Sequence, residues 1–238
     1  PKVSYEEYQY LKSSLNKVED LCYQYMTLNQ TLKFEANTVN NVNMVPVTSE
    51  FTDIQRMEFS SGRFFNESES NSGKQVVVIG HDIAQSLFGE LDPIGKSIRM
   101  YGQQFMVIGV TKKKGESTLD MGGGDDVSAF LPSNFLRRIY GDNNSKVSAM
   151  IIIKPEKNID IDELKAEITQ KLRSFRGVKE GDINNFFISV LSGFTDLLDR
   201  LISQIRFGGI IISLFSFLVG GFGIANIMFV SVKERTSL

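Results

Sequence analysis

A stretch of 26 residues near the C-terminus, Phe207 to Val232, contains no Asp, Glu, Lys, Arg or His. A helix crosses the hydrocarbon core of a bilayer with about 20 mostly apolar residues, at a rise of about 1.5 Å per residue. A helix of a soluble protein normally keeps one polar face, whereas this stretch is apolar or small on every side. It therefore predicts a transmembrane helix. The alternative is a soluble enzyme in which this helix lies buried in the core.

Small residues recur four positions apart within this stretch. In lipid, helices associate through close approach of their backbones, which small side chains permit. The pattern predicts that the helix packs against other helices. The residues that carry this prediction are Gly209, Ser213, Ser216, Gly220, Gly221 and Ala225.

The remaining composition is that of a globular domain. The formal net charge is -2 and 23% of residues are charged, with no basic block, so neither nucleic acid nor an anionic surface is indicated as a partner. The single cysteine, Cys22, excludes an internal disulfide. It is expected on a helix face, as a small core residue.

The charges that flank the apolar stretch leave its orientation open. Arg200 and Arg206 precede it, and Lys233 and Arg235 follow it, which is a tie under the positive-inside rule. No apolar segment stands at the start of the sequence. The chain is therefore either a fragment that lacks an earlier span and has its domain outside the cytoplasm, or a tail-anchored binding module with a cytosolic domain.

The first part of the chain reads as a helix, two strands and a second short helix. Ser4 and Glu7 form a capping-box pattern that starts a helix with one apolar face. The next segments are predicted as strands Thr31–Val39 and Val42–Thr48 with a turn at Asn40-Asn41, a short helix leading into a Gly turn within Phe51–Phe65, and a polar loop at Asn66–Lys74.

The middle of the chain reads as compact and mostly β. Its predicted elements are strand Val76–Ile79, helix Gly80–Phe88, a hairpin of Lys96–Met100 and Gln104–Val110, a flexible loop Lys112–Asp126, strand Val127–Leu131 and helix Ser133–Tyr140. The acidic, Gly-rich end of the loop does not have the spacing of a calcium-binding loop, so no metal site is predicted there.

The last part of the extramembrane region predicts a second β-α-β unit. Val147–Lys154 is apolar on both faces and is expected inside a sheet. A helix capped by Asp160 and Glu163 follows, and strand Phe186–Leu191 is expected to close the unit. The predicted class is thus α+β, with two β-α-β halves separated by a β-rich insertion. No Pro interrupts the amphipathic residues 192–206, so a stalk helix is expected to run unbroken into the membrane.

Catalytic patterns are not visible in the sequence. The single histidine, His81, stands beside Asp82 without a nucleophile motif and is predicted to begin a helix. The sequence has neither a Walker A loop nor a dinucleotide-binding glycine motif. We therefore expect no cofactor and no enzymatic activity.

Several motifs together resemble the extracytoplasmic domain of MacB-type (FtsX-like) ABC transporter permeases. They are Gly62-Arg63-Phe64-Phe65, Val76-Val77-Val78-Ile79-Gly80, Leu87-Phe88-Gly89, Asp92-Pro93-Ile94-Gly95-Lys96 and Phe105-Met106-Val107-Ile108-Gly109-Val110. The C-terminal stretch from Leu218 to Met228, with Ser231 to Thr236, is similar to the second transmembrane helix of the family and the start of its cytoplasmic coupling helix.

This resemblance implies an architecture. It divides the chain into residues 1–73 (Porter-like, first half), 74–145 (Sabre-like insertion), 146–191 (Porter-like, second half), 192–206 (stalk), 207–232 (span) and 233–238 (start of the coupling segment). It also implies a bacterial cytoplasmic membrane location, with residues 1–206 on the extracytoplasmic side. One further span would precede residue 1, and two would follow residue 238.

The resemblance also implies function and partners. The expected role is to transmit ATP-driven motion across the membrane, for export of an antibiotic, peptide or lipoprotein or for control of an envelope partner. Expected partners are an ABC ATPase, a second permease copy and a periplasmic adaptor or envelope protein. The residues expected to couple to the ATPase are Lys233, Glu234, Arg235 and Thr236.

Overall fold

The computed structural model describes residues 2–114, 124–141, 148–179, 181–190 and 192–235. Its chain divides into two compact units, Pro1–Phe186 and Phe187–Leu238. The first is a mixed α/β domain and the second is built on one long helix. The predicted α+β class with a C-terminal helix is therefore confirmed.

Six α-helices, one short 3₁₀ helix at Asp125–Val127 and nine strands form the first unit in the part of the chain described. The helices are α1 Tyr5–Ser14, α2 Phe51–Gln55, α3 Glu67–Ser72, α4 His81–Phe88, α5 Ser133–Tyr140 and α6 Ile161–Phe175. The strands are β1 Val18–Met26, β2 Gln30–Phe34, β3 Asn37–Val47, β4 Phe59–Gly62, β5 Val76–Ile79, β6 Ser97–Met100, β7 Gln103–Thr111, β8 Ser128–Pro132 and β9 Ser148–Pro155. The second unit contains α7, Ser192–Arg235.

The strands belong to one sheet, and six of them form a closed circuit of pairings. The sheet order is β2-β6-β7-β5-β8-β3-β1-β9, and β2 also pairs with β3. Strand β3 closes the circuit because it changes partner along its length. Its residues Asn37–Val42 pair antiparallel with β2, and Asn43–Val47 pair parallel with β8. Strands β1 and β9 extend the sheet beyond β3.

Residues on both sides of position 74 share strands and core. Strand β3 pairs with β8, β2 with β6, and β4 with β7. One buried cluster likewise combines Val45, Val47 and Phe51 with Val78 and Phe130. Residues 74–145 therefore share one sheet and one buried cluster with the residues before them. Their division into separate subdomains stays a prediction.

The start of the chain confirms one expectation and corrects another. Ser4 caps α1 with the predicted capping box to Glu7. The helix ends at Ser14, however, and Cys22 lies fully buried in strand β1 rather than on a helix face. The strand was missed because Val18–Met26 mixes polar and apolar residues without strict alternation. Its pairing with β9 over nearly its whole length, a long-range contact, determines its conformation.

The turn predicted at Asn40-Asn41 is wrong. The chain reverses instead between β2 and β3 at Glu35 and Ala36, where Glu35 adopts φ 50°. Asn41 also has a positive φ, 60°, but it lies within β3 where the pairing register with β2 shifts. The left-handed conformation that favours Asn therefore serves a bulge here and not a turn.

The loop predicted at Asn66–Lys74 contains helix α3. Asn66 and Glu69 form a reciprocal capping box, and Gly73 ends the helix with φ 57°. The helix escaped prediction because its residues, Glu67–Ser72, include no apolar side chain that would create a periodic face. Its caps, however, were readable in the sequence.

Two expectations for the second β-α-β unit are wrong. Strand β9 pairs with β1 alone and ends the described sheet, so it is an edge strand whose side chains from Ala149 to Pro155 are partly exposed. Residues 186–190, predicted as part of a strand, form none. Residues 115–123 of the predicted loop, with 142–147, 180 and 191, lie outside the described residues.

Candidate membrane-spanning and coupling site

The candidate site is built on α7, one continuous helix of 44 residues. Within it, Ile202–Ala225 is long and apolar enough to cross a membrane, with 24 residues and a mean hydropathy of 2.1. At about 1.5 Å per residue this segment measures about 36 Å, more than the hydrocarbon core of about 30 Å. None of its most apolar part is buried in the chain. Residues 192–206 continue into it without a break, as predicted.

The helix sorts the six predicted packing residues into two groups. At about 100° per residue, Gly209, Ser213, Ser216 and Gly220 fall on one face about 60° wide. Gly221 and Ala225 lie on a neighbouring face. A side chain at Gly220 would meet no described residue within 4 Å, which leaves room for a second helix against the first face at this position. Helix packing by these residues stays a prediction.

The hydroxyl group of Ser216, one of the two serines on this face, has a hydrogen-bond partner within the helix. Ser216 Oγ donates to the carbonyl oxygen of Ile212 at 2.9 Å. An unpaired hydroxyl in hydrocarbon costs several kcal/mol, roughly what an unmade hydrogen bond costs in cyclohexane. This bond therefore lets Ser216 remain on the open face in a bilayer.

The predicted coupling residues follow at the end of α7. Lys233, Glu234 and Arg235 occupy its last turn. Their side chains, and all of Thr236, lie outside the described residues. Contact of these four residues with an ATPase stays a prediction.

His81 and Cys22, two side chains that an enzyme could use for catalysis, occupy ordinary structural positions in the first unit. His81 Nδ1 lies 3.2 Å from Asp82 Oδ1, and Lys113 Nζ lies 3.3 Å from the same oxygen. Hydrogen bonding to His81 and to Lys113 lowers the pKa of Asp82. Burial raises the pKa of the Cys22 thiol, so it is not a reactive thiolate. Within the described residues no three His, Cys, Asp or Glu side chains are grouped to hold a metal.

A buried ion pair at the two ends of the first unit was missed by sequence reasoning. The guanidinium of Arg176 binds both carboxylate oxygens of Glu7, through Nε to Oε1 and through Nη2 to Oε2 at 2.9 Å. Its Nη1 donates to the carbonyl and side-chain oxygens of Asn185, each at 3.0 Å, and Nη2 donates to the carbonyl of Lys2 at 3.3 Å. The sequence predicts only a helix-capping role for Glu7 and does not indicate that Arg176 meets it.

A second arginine of the same helix holds the same segment. Arg173 Nη1 donates to the carbonyl of Asp182 at 2.8 Å and to Oδ1 of Asn184 at 2.6 Å. Its Nη2 donates to the carbonyl of Lys179 at 2.5 Å. The C-terminal end of α6 thus fixes residues 181–186 through two guanidinium groups.

The chain matches a known protein family over most of its length. The family described as "MacB-like periplasmic core domain" matches residues 1–171. The chain is 30% identical over 203 residues to the macrolide export ATP-binding/permease protein MacB of Neisseria meningitidis serogroup A, which covers 84% of this chain and 30% of the relative. The chain belongs to the MacB-like periplasmic core domain family.

A further relative extends the comparison to another export protein. The pyoverdine export ATP-binding/permease protein PvdT of Pseudomonas aeruginosa is 29% identical over 191 residues, or 79% of this chain and 27% of the relative. The chain spans about 30% of the length of the curated relatives it matches.

Solved structures show the same fold. The periplasmic region of MacB from Actinobacillus actinomycetemcomitans superposes with a TM-score of 0.65 at 17% identity, covering 83% of each chain. The extracellular domain of the ABC-type transporter YknZ from Gram-positive bacteria superposes with a TM-score of 0.57 at 22% identity, covering 75% of this chain and 87% of that one. These structures show the fold, and the match of residues 1–171 to the family confirms the resemblance inferred from the sequence motifs.

Proposed function

We propose that the chain is the extracytoplasmic domain of an ABC exporter permease and that α7 carries ATP-driven motion between this domain and the cytoplasm. The observation that carries the proposal is the continuity of α7 from Ser192 to Arg235 across the candidate span. A helix with unbroken backbone hydrogen bonds resists bending, so displacement at one end moves the other.

The partners follow from this role. The chain itself supplies no nucleotide motif, so the energy comes from an ABC ATPase that contacts residues 233–236. A second copy of the permease and the remaining spans pack against the small-residue face of α7 in the cytoplasmic membrane. Residues 1–206 lie outside the cytoplasm, where they act on cargo or on a periplasmic adaptor or envelope protein.

The cargo is proposed only as a class. Two relatives are named for export of macrolides and of pyoverdine, which supports export of an antibiotic or another small molecule, while a peptide or lipoprotein cargo is what the family resemblance alone implies. The alternative role, control of an envelope partner, would use the same motion. It differs from export in that no cargo crosses the membrane when ATP is hydrolysed.

A helix-breaking substitution in the stalk tests the proposal. Gln204 is exposed and lies where the predicted stalk, residues 192–206, overlaps the start of the candidate span. In the intact transporter, Gln204→Pro removes a helix hydrogen bond at a cost of about 3 kcal/mol or more, whereas Gln204→Ala preserves the helix. We expect the proline variant alone to export less per ATP hydrolysed, at equal abundance in the membrane. Equal export per ATP in both variants would contradict transmission through α7.

A further inference from the structure

The chain enters the first unit just before α1 and leaves it at Phe186, and one side chain contacts both places. Lys2 and Ser4 precede α1, and Asn185 and Phe186 end the unit, six residues before α7 begins at Ser192. The guanidinium of Arg176 donates to the backbone carbonyls of both Lys2 and Asn185. In sequence these two residues are at opposite ends of the unit.

The entry side of this connection is fixed through Glu7. Its Oε2 accepts from the backbone N–H of Ser4 at 2.9 Å, while Ser4 Oγ accepts from the N–H of Glu7 at 3.2 Å. Both side chains of the ion pair are buried, with 8% of Arg176 and 4% of Glu7 exposed. The carboxylate thus joins the capping box of α1 to the guanidinium, so the position of residues 2–4 depends on Arg176.

The exit side depends on the arginines for a different reason. Residues 181–185 are exposed, and the side chain of Ile183 is 92% exposed, so burial contributes little to holding them. What holds them is polar: Arg173 binds Asp182 and Asn184, and Arg176 binds Asn185. Phe186 adds a contact in which its ring centroid lies 5.5 Å from Cζ of Arg176.

We propose that Arg176 is a positioning residue, a clamp that holds residues 2–4, where the chain enters the domain, to residues 181–186, where it leaves. Motion of α7 then moves the whole domain instead of detaching residues 181–186 from it. The inference rests on the proposed transmission function. A planar guanidinium reaches Glu7, Asn185 and Lys2 at once because its donors point in fixed, different directions. A lysine at this position keeps the charge and loses that reach.

Hydrogen exchange in the full chain tests the clamp without reference to transport. In Arg176→Lys, the hydrogen-bonded amides of Ser4 and Asp182, one in each segment, are expected to exchange together about tenfold faster or more, which corresponds to loss of a charged hydrogen bond. Arg173→Lys accelerates only the exit segment. Lys17→Gln is the matched control, because the Lys17–Glu163 pair also reaches α6 but is exposed, and it leaves both segments unchanged. Unchanged exchange in Arg176→Lys overturns the clamp.

A second variant excludes simple misfolding. Glu7→Gln combined with Arg176→Gln removes both charges, so no buried charge remains unpaired. This double variant is expected to fold, with the same accelerated exchange in both segments. Accelerated exchange spread over the whole first unit would instead show general destabilisation and overturn the proposal.

Export per ATP in the intact transporter connects the clamp to function. Arg176→Lys is expected to lower it about threefold or more, within the range of coupling energies that single residues carry. A short bis-maleimide that joins Lys2→Cys to Asn185→Cys in the same variant is expected to restore it, and buried Cys22 does not compete for the reagent. If the wild type and Arg176→Lys export equally per ATP hydrolysed, the clamp is contradicted and the proposed function is not. If the wild type shows no ATP-dependent export, the proposed export function fails instead, and the hydrogen-exchange result alone decides on the clamp.

Discussion

Arg63 and Glu69 form a two-bond ion pair, with Nη1 2.7 Å from Oε2 and Nη2 2.9 Å from Oε1. The pair joins the end of β4 to helix α3. Glu69 also accepts from the backbone N–H of Asn66 at 3.1 Å and from Lys74 Nζ at 3.2 Å. Its side chain is 8% exposed, so one carboxylate organises the whole connection between β4 and β5.

Stability should depend on pH through this carboxylate. Hydrogen bonding to Arg63, and then to Asn66 and Lys74, lowers the pKa of Glu69 to about 2 in spite of its burial. Because the folded-state pKa lies below the unfolded one, the contribution is complete above the usual Glu pKa of about 4.3 and is lost as pH falls toward 2. Since Arg63 is 55% exposed and water screens the pair, we expect about 2 kcal/mol.

Denaturant unfolding of Glu69→Gln at several pH values checks this expectation. The variant should be less stable than the wild type by about 2 kcal/mol at pH 7, and the difference should shrink steadily between pH 4.5 and pH 2. The control is Glu58→Gln, because the Lys112–Glu58 pair is exposed on both sides and should change stability little. A difference at pH 2 as large as that at pH 7 would contradict the account.

Two glycines with the same backbone conformation should differ sharply in their tolerance of a side chain. Gly62 has φ 73°, and a Cβ there would lie 2.2 Å from the carbonyl oxygen of Ile108. Gly102 has φ 74° in the β6–β7 turn, and its Cβ would meet nothing within 4 Å. Gly102→Ala should therefore cost about 1 kcal/mol for the left-handed backbone alone.

Gly62→Ala should cost about 3 kcal/mol or more, because strand β4 must also move away from β7. Thermal or urea unfolding of both alanine variants measures the difference. Equal destabilisation of the two would show that β4 does not lie against β7 as the structure places it.

How much of this fold is visible in the sequence depends on the range of the interactions that form it. The capping box of Ser4 and Glu7, the helix that ends at Phe88 and the hairpin of β6 and β7 are local, and all three were predicted correctly. Strand β1 was not predicted, because its conformation depends on pairing with β9, more than 100 residues away.

The site follows the same rule. The span is visible because it is one uninterrupted apolar segment. The pair of Glu7 and Arg176 joins residues 169 positions apart, and each alone looks like an ordinary helix-terminal charge. Nothing in their local sequence indicates that they meet.

A large side chain on the small-residue face of α7 should hinder assembly of the transporter. Gly220→Leu places a large side chain among Ser213, Ser216 and Gly209, where close helix approach is expected. Gly208→Leu adds the same bulk about 120° away around the helix, and a side chain there also meets no described residue within 4 Å. We expect only Gly220→Leu to reduce recovery of the assembled permease in native gels or by crosslinking. Equal assembly of both variants would count against this packing face.

Glu234 distinguishes contact with an ATPase from simple anchoring. An anchor at the headgroups uses Lys and Arg and has little use for a carboxylate beside anionic lipid, whereas a basic patch on an ATPase would use one. In the intact transporter Glu234→Lys should therefore lower transport-coupled ATP hydrolysis while membrane insertion and abundance stay normal. ATPase assays of equal amounts of reconstituted protein measure this. Normal coupling would leave anchoring as the sufficient role.

The location of the domain is the central claim, and thiol labelling in intact cells measures it most directly. Cys22, the single cysteine of this sequence, is fully buried, so this part of the transporter adds no labelling of its own to that of the engineered cysteines. Leu28→Cys uses a side chain that is 77% exposed in the first unit, and Ser237→Cys lies beyond α7. In the intact transporter, a membrane-impermeant maleimide should label Leu28→Cys in whole cells and Ser237→Cys only after the cytoplasmic membrane is permeabilised. The reverse pattern would place the domain in the cytosol and contradict the account.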